Sequence, residues 1–276
     1  MEANKLKELE GIARGIRIDS LESLYHGGSG HPGSALSVAD IVTILFFSEM
    51  NIDPANPGLP DRDRFILSKG HACPAYYSAL ARRGFLDRGL LSTLRKIDSP
   101  LQGHPVLGKV PGVDMSSGSL GQGLSIAGGM ALYAKRRNRP FRVYCVLGDG
   151  ECQEGQVWEA AMSAGHFGLD NLVAILDANG LQIDGPVAEV MDVQPMSDKF
   201  RAFKWKAIEV DGHDFASLDE GLRRAREHKG GPAFLHARTV KGKGVSFMEN
   251  RVEWHGGQVT GEVYERAMAE LGVVQK

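Results

Sequence analysis

The chain has 276 residues, of which 42% are hydrophobic and 24% charged, a composition typical of a globular protein. Its 32 basic and 34 acidic residues leave a net charge of −2, so the overall charge gives no reason to expect binding to nucleic acid or to a membrane surface. The three cysteines, Cys73, Cys145 and Cys152, show no C-x-x-C spacing, which argues against a zinc site and against a secreted fold. No signal-peptide pattern opens the chain, no apolar run approaches the ~20 residues that span a bilayer, and we expect a cytoplasmic protein.

The first half of the chain alternates apolar helical patterns with glycine-rich breaks. Apolar side chains from Leu6 to Leu24 recur at helical spacing, which predicts the first helix. In chain order the sequence predicts a helix over residues 3–24, a glycine-rich break at 27–33, a buried helix over 37–50, a short apolar run at 64–68, a helix over 74–83, a loop rich in Pro and Gly from about 99 to 118, and a helix of small residues that ends near 134.

The second half contains short apolar runs that predict fully buried strands. These runs are residues 142–147, 172–176, 207–210 and 233–237, with helical patterns over 156–167 and 218–228 between them and an amphipathic stretch over 264–271. Strands that alternate with helices indicate an α/β fold, a parallel β-sheet with helices on both faces and right-handed crossovers. No internal repeat or flexible linker is evident, so we expect one domain over residues 1–276.

Oxygen-bearing side chains follow two of the predicted strands. Gly148-Asp149-Gly150 ends one strand and Asn179 ends the next. Ligands bind beyond the carboxyl ends of strands in an open parallel sheet, so these residues are expected at one edge. The Asp149 carboxylate, the Asn179 amide oxygen and the Leu181 carbonyl would suit Mg²⁺ or Ca²⁺ together with phosphate oxygens. Gly-Asp-Gly by itself is more often a strand-ending turn, so its surroundings decide the interpretation.

Those surroundings closely resemble the thiamine diphosphate motif of transketolases. The segment GDGECQEGQVWEA at 148–160 and its completion LDANGLQIDG at 176–185 carry the resemblance. Five further motifs occur in the expected order: SGHPG at 29–33, SKGH at 68–71, GHP at 103–105, GSLGQG at 118–123 and WHG at 254–256. The resemblance implies the diphosphate-binding domain of the thiamine diphosphate-binding fold. It also implies thiamine diphosphate as cofactor and Mg²⁺ as metal, with Ca²⁺ or Mn²⁺ able to substitute.

The resemblance also implies roles for four histidines and one glutamate. Taken singly, each histidine would more often be a surface or packed residue, but His31, His71 and His104 all lie in Gly/Pro-rich loops. His71 would contact the diphosphate and His104 the hydroxyl groups of a ketose donor. His31 and His255 would line the substrate channel and assist proton transfer, although residues 257–260 depart from the family pattern. Glu154 would belong to a hydrogen-bond relay across a subunit interface.

The remaining cofactor contacts that the resemblance implies lie in the glycine loop and near the metal motif. Gly118, Ser119 and Leu120 would pack against the cofactor rings, with Ser119 standing where many full-length relatives have proline. Ile183 would lie under the thiazolium ring. Gly148, Gly150 and Glu151 would contact the cofactor beside Asp149. The other histidines are interpreted as structural: His26, His166, His213, His228 and His236.

The resemblance finally implies a partner chain. In the family, the carboxylic acid beside the aminopyrimidine comes from a second domain, so we expect the pyrimidine-binding and C-terminal domains on a separate transketolase chain in an α2β2 assembly that acts on sugar phosphates. This chain would be the N-terminal subunit, which would be inactive alone. Two alternatives stay open: a component of another thiamine enzyme (deoxyxylulose-phosphate synthase-like or 2-oxoacid dehydrogenase-like), and a non-catalytic thiamine diphosphate-binding protein. The histidine set favours transketolase.

Overall fold

A computed structural model describes residues 1–273. Within that range the helices are α1 (Ala3–Gly27), α2 (Pro32–Ile44), α3 (Cys73–Arg83), α4 (Gln122–Arg136), α5 (Gly155–His166), α6 (Val187–Val190), α7 (Met196–Ala202), α8 (Phe215–Glu227) and α9 (Gly261–Glu270). The strands are β1 (Arg64–Leu67), β2 (Val143–Gly148), β3 (Leu172–Ala178), β4 (Leu181–Gln182), β5 (Gly185–Pro186), β6 (Lys206–Asp211) and β7 (Ala233–Arg238).

Five strands form one parallel sheet in the order β1-β2-β3-β7-β6. The central strands β2 and β3 are buried on both faces, which explains why they read as continuous apolar runs rather than alternating ones. Their register pairs Gly148 with Asp177, so the residues that follow both strands emerge at the same edge. The predicted α/β fold with a parallel sheet is confirmed.

Helices cover the two faces of the sheet with separate apolar cores. On one face, α1, α2, α3 and α8 pack around Phe65 and Tyr76, whose rings lie 4.8 Å apart. On the other face, α4, α5 and α7 pack around Phe200, whose ring stacks on Phe234 at 3.9 Å. This two-sided cover leaves the carboxyl ends of the strands and their loops as the place where a ligand can enter.

Helix α2 begins earlier than the sequence predicted. It starts at Pro32 instead of residue 37, because proline is well suited to the first turn of a helix. It continues through a π-helical turn, Leu45–Glu49. The combined segment Pro32–Glu49 is long and apolar enough to cross a membrane, contrary to the expectation that no run would be. However, 83% of it is buried inside the molecule, as in the core helix of a globular domain.

Three short elements were not predicted: α6, α7 and the two-residue antiparallel pair β4–β5. The pair follows Asn179 and turns at Ile183 and Asp184, so it carries the segment after β3 back across the sheet edge. The amphipathic stretch near the end of the chain forms α9 as predicted.

Candidate functional site

A cavity of about 330 Å³ lies at the carboxyl ends of β2 and β3. It is lined by all of the predicted site residues except Ser119, which is exposed outside it: His31, His71, His104, Gly118, Leu120, Gly148, Asp149, Gly150, Glu151, Glu154, Asn179, Leu181, Ile183 and His255. Six lining residues had no predicted role: Ser34, Lys69, Gln153, Gln182, Asp184 and Lys241. Residues from eight separate segments therefore meet in one place.

Asp149 lies at one end of the cavity, which we call the acid end (Asp149, Glu151, Asn179 and Leu181). Its carboxylate accepts hydrogen bonds from the amides of Gly150 at 2.9 Å and Gly180 at 2.5 Å. The side chain is almost fully buried, and burial together with the nearby charge of Asp177 raises the pKa of Asp149. No basic group within residues 1–273 forms an ion pair with it. A divalent cation would stabilise the charged form.

The other oxygens for such a cation lie beside Asp149. The Asn179 amide nitrogen faces the Asp177 carboxylate and carbonyl at 3.4 and 3.5 Å, which directs its Oδ1 away from them. That Oδ1 accepts from the amide of Leu181 at 3.2 Å. The Leu181 carbonyl accepts from Lys241 Nζ at 3.1 Å and has a second lone pair for a metal. One carboxylate, one amide and one carbonyl oxygen fit Mg²⁺ with phosphate oxygens, whereas a cluster of three or more His, Cys, Asp or Glu ligands does not occur in the described range.

Glu151 also lines the cavity, but both of its oxygens are engaged by the protein. One accepts from the Ser68 hydroxyl and from the Gly121 amide at 2.9 Å, and the other from the Gly148 amide at 3.0 Å. Burial raises the pKa of Glu151, and these donors oppose that effect. The side chain therefore ties the glycine loop before α4 to the end of β2, which holds the cavity wall in place.

Two buried lysines, Lys69 and Lys241, place positive charge beside the acidic residues of the cavity. Lys69 Nζ lies 2.5 Å from Asp177 Oδ2, and Asp177 also accepts from Ser37 and Thr239. Burial acts to raise the pKa of Asp177, but the Lys69 charge and these hydrogen bonds outweigh it and the pKa is lowered. Lys241 is 1% exposed, and burial, with the Lys69 charge, lowers its pKa to about 8.

The opposite side of the cavity is the histidine end (His31, His71 and His255). The three ring centroids form a triangle with sides of 5.0, 5.4 and 5.5 Å. A pair of backbone hydrogen bonds between Gly30 and Gly257, at 3.1 and 2.9 Å, joins segments more than 220 residues apart in sequence and so brings His255 to His31. A Cβ on Gly33 would lie 2.7 Å from the Trp254 carbonyl, so this close approach requires glycine.

The histidines are held in their neutral form. Burial is the main cause in each case and lowers the pKa of His31 to about 4 and of His255 to about 3, with His104 adding to the effect at His31 and Lys241 at His255. The pKa of His71 lies well below its usual value, mainly through burial and Lys69. Neutral imidazoles near pH 7 donate and accept hydrogen bonds, so this is the chemistry that the three rings can supply.

The ring nitrogens of these histidines differ in their hydrogen-bond partners. His71 Nε2 lies 3.1 Å from the Ser34 hydroxyl, and His255 Nδ1 accepts from Lys241 Nζ at 3.0 Å. His31 Nδ1 is buried without a hydrogen-bond partner in the part of the chain that the structure describes. His104 packs against Gly118, where an added Cβ would lie 3.5 Å from the ring. At the rim, Ile183 is 66% exposed and Glu154 is exposed as well.

Lys69 and Lys241, for which the sequence analysis predicted no role, differ in how easily the sequence could have indicated them. Lys69 lies inside the predicted SKGH motif, so its proximity to His71 was available. Lys241 is 60 positions from Leu181, and its role depends on the loop that follows β7. No local sequence pattern indicates that Lys241 contacts Leu181.

Comparison with known proteins identifies the family of this chain. Residues 9–275 match the family model described as transketolase, thiamine diphosphate binding domain. The chain is 43% identical to a 6-deoxy-6-sulfo-D-fructose transketolase subunit of Clostridium sp. (strain MSTE9), over 96% of each chain. It is 41% identical to an apulose-4-phosphate transketolase subunit of Phocaeicola vulgatus, over 91% of this chain and 89% of that one.

Solved structures give the same result. Transketolase from Leishmania mexicana superposes with a TM-score of 0.89 at 31% identity, covering 96% of this chain and 41% of that chain. This chain therefore spans nearly the whole of the two subunits above but about two fifths of that longer transketolase. The chain belongs to the transketolase family and carries its thiamine diphosphate-binding domain.

Proposed function

We propose that this chain is the thiamine diphosphate- and Mg²⁺-binding subunit of an enzyme that transfers a two-carbon ketol unit from a ketose phosphate to an aldose. The observation that carries the proposal is the meeting of two sets of side chains in one cavity. Oxygen ligands for a metal lie at one end and a triangle of neutral histidines at the other, in a chain of the transketolase family.

At the acid end, Asp149, Asn179 and the Leu181 carbonyl would hold Mg²⁺, for which Ca²⁺ or Mn²⁺ could substitute. Gly150 supports the same site, because a Cβ there would lie 3.0 Å from Gln182 Cβ and narrow the space beside Asp149. Lys241 and, from the neighbouring histidine end, His71 would face the diphosphate. When bound, thiamine diphosphate supplies the nucleophilic carbon that lets a ketose C2–C3 bond break and re-form.

At the histidine end, the side chains would orient the sugar and move protons. Burial keeps both rings unprotonated near neutral pH, so His31 would accept a hydrogen bond from a sugar hydroxyl, whereas His255, whose Nδ1 accepts from Lys241, would carry its hydrogen on Nε2 and donate it. His104, across the cavity beside Gly118, would bind the donor hydroxyl groups. Burial excludes competing water from these contacts and strengthens them.

We further propose that a pyrimidine-binding transketolase subunit completes the active site in an α2β2 assembly. Two lines support this: the relatives that this chain matches over nearly their full length are both named as subunits, and Glu154 and Ile183 are exposed at the cavity rim, where a partner would lie. Light scattering of the co-purified pair would measure the stoichiometry. A cytoplasmic location is also proposed, supported by three buried free cysteines.

The experiment uses the chain co-expressed with its pyrimidine-binding partner, thiamine diphosphate and Mg²⁺. Xylulose 5-phosphate as donor and ribose 5-phosphate as acceptor should yield a seven-carbon ketose phosphate. A panel of other ketose donors, including sulfonated and branched sugars, would define the specificity. Absence of ketol transfer from every donor would refute the proposal, and release of carbon dioxide from pyruvate would indicate a decarboxylating thiamine enzyme instead.

A further inference from the structure

The loop that carries Lys241 is held by backbone hydrogen bonds, among them the Asn250 amide to the Lys241 carbonyl at 2.9 Å, and one further contact comes from a side chain outside the cavity lining. After β7, the Thr239 amide donates to the Ala178 carbonyl at 3.2 Å and the Gly242 amide to the Gly33 carbonyl at 3.0 Å. Between them, the Val240 amide donates to Nε2 of His213 at 2.8 Å. His213 lies in the turn between β6 and α8, outside the cavity lining.

His213 is itself fixed by a buried ion pair. Its Nδ1 lies 2.6 Å from Asp40 Oδ2, and Arg17 binds both oxygens of that carboxylate at 3.0 and 2.5 Å. Burial acts to raise the pKa of Asp40, but the Arg17 charge and the hydrogen bonds from His213 and Arg17 outweigh it and lower the pKa. The carboxylate is therefore charged and acts as an acceptor.

These contacts determine the tautomer of His213. Because a backbone N–H donates to Nε2, that nitrogen carries no proton, and the hydrogen lies on Nδ1 and points at Asp40. A chain of hydrogen bonds then runs from Arg17 on α1 through Asp40 on α2 and His213 to the Val240 backbone. A proton on Nε2 would instead place the N–H of the imidazole against the N–H of Val240.

The residue after Val240 is Lys241, whose ammonium contacts both ends of the cavity: the Leu181 carbonyl at 3.1 Å and His255 Nδ1 at 3.0 Å. A small displacement of the loop would misplace this ammonium, and displacements near 1 Å at such a site can cost about 100-fold in rate. We propose that His213 is a positioning residue, which through Asp40 and the Val240 amide fixes Lys241 in the cofactor cavity. The cofactor part of this inference rests on the proposed function.

A matched pair of substitutions separates the two contacts of the imidazole. In His213→Asn the amide nitrogen replaces Nδ1 and keeps the bond to Asp40, but nothing accepts from Val240. In His213→Gln the amide oxygen reaches the position of Nε2 and can accept from Val240, but the bond to Asp40 is lost. His236→Asn is the control, because His236 lies on β7, the strand that leads into the loop, but contacts Ser197 and Glu209.

The test measures hydrogen exchange of the Val240 amide in the full chain, and thiamine diphosphate affinity by calorimetry with Mg²⁺ and the partner chain. We expect His213→Asn to speed Val240 exchange and to weaken cofactor binding by about tenfold, with His213→Gln recovering most of the loss and His236→Asn matching the wild type. Wild-type exchange and affinity in His213→Asn, or equal losses in Asn and Gln that follow the loss of thermal stability, would overturn the positioning role.

Two measurements on the wild type keep the inference testable if a variant does not fold. Long-range ¹H–¹⁵N spectra of the imidazole should show the proton on Nδ1 of His213. A proton on Nε2 would contradict the chain of hydrogen bonds from Asp40 through His213 to Val240. If the wild-type pair binds no thiamine diphosphate at all, the proposed function fails, whereas a normal wild-type affinity that His213→Asn leaves unchanged refutes only the positioning of Lys241.

Discussion

The acid end and the histidine end of the cavity hold their titratable side chains in different ways. Asp149 and Glu151 accept hydrogen bonds from backbone amides, and burial raises the pKa of both carboxyls. His31 and His255 have imidazole and lysine neighbours, and burial lowers the pKa of both rings. Burial thus favours the neutral form at both ends, but the groups at each end respond differently to a cation.

That difference separates binding from proton transfer. A divalent cation beside Asp149 would restore the carboxylate charge and would attract a diphosphate, so we propose that the acid end binds the cofactor. No carboxylate forms an ion pair with the three clustered histidines in the described part of the chain, so nothing there restores an imidazolium. The histidine end is suited to moving protons. Four predictions test this division, from the largest expected effect to the smallest.

Asp149→Ala should remove the charged metal ligand and weaken Mg²⁺-dependent binding of thiamine diphosphate on the order of 1,000-fold, about 4 kcal/mol, because the metal would lose its carboxylate partner. Calorimetry with and without EDTA measures the change. Asp184→Ala is the control, since Asp184 lines the same cavity but is exposed on the β4–β5 turn. Equal affinities of the two variants would show that the metal binds elsewhere.

His31→Ala should lower kcat for ketol transfer by roughly 100-fold, the scale of a lost proton-transfer group. Its cofactor affinity should change less than about threefold, because the division assigns cofactor binding to the acid end. Steady-state kinetics and calorimetry on the same preparation measure both quantities, with the exposed His26→Ala as control. A large loss of cofactor affinity with unchanged kcat would reverse the roles of the two ends.

Glu151→Gln should destabilise the fold by about 2 kcal/mol, because an amide NH₂ would face the backbone N–H donors that the carboxylate now accepts from. Urea unfolding of the chain measures this change. Glu159→Gln, on the exposed side of α5, should change the free energy of unfolding by less than about 0.5 kcal/mol. Similar free energies of unfolding for both variants would mean that the hydrogen bonds of Glu151 do not stabilise the fold.

The effect that is smallest near neutral pH is a pH dependence from His31. Its folded pKa of about 4 lies below the ordinary value of 6.5, so between these values the unfolded chain binds more protons. The stabilising contribution of the neutral ring is therefore complete above pH 6.5 and is lost as the pH falls toward 4. Urea midpoints at pH 4.5, 5.5 and 6.5 should rise less steeply in His31→Gln than in the wild type. Urea midpoints that change equally with pH in the two proteins would contradict the lowered pKa of His31.

The acid end was more accessible to sequence reasoning than the histidine end. Gly148-Asp149-Gly150 is contiguous, and the parallel arrangement of β2 and β3 places Asn179 at the same edge, so local pattern and sheet geometry sufficed. The position of His255 depends on the Gly30–Gly257 pairing, which no local pattern encodes, and only the family resemblance indicated it. The position of Lys241 likewise depends on a long-range contact, and neither a local pattern nor the resemblance indicated it.

The errors have a similar physical origin. Helix α7 has only seven residues, too few for a clear period, and the start of α2 is fixed by Pro32 rather than by the apolar pattern. The interpretation of His213 as structural is not contradicted, but no local pattern indicated its contact with Asp40, which lies 173 positions away. The contact of Ser119 with the cofactor stays a prediction; the side chain is exposed outside the cavity, which Gly118 and Leu120 line.

The central claim is that the acid end holds the metal and the diphosphate. It is tested most directly by anomalous diffraction from crystals of the chain and its partner grown with thiamine diphosphate and Mn²⁺. The account predicts one anomalous peak within about 2.3 Å of an Asp149 carboxylate oxygen, Asn179 Oδ1 and the Leu181 carbonyl, with the diphosphate beside Gly150. A peak at any other ligands, or a diphosphate lying among His31, His71 and His255 without the metal, would contradict it.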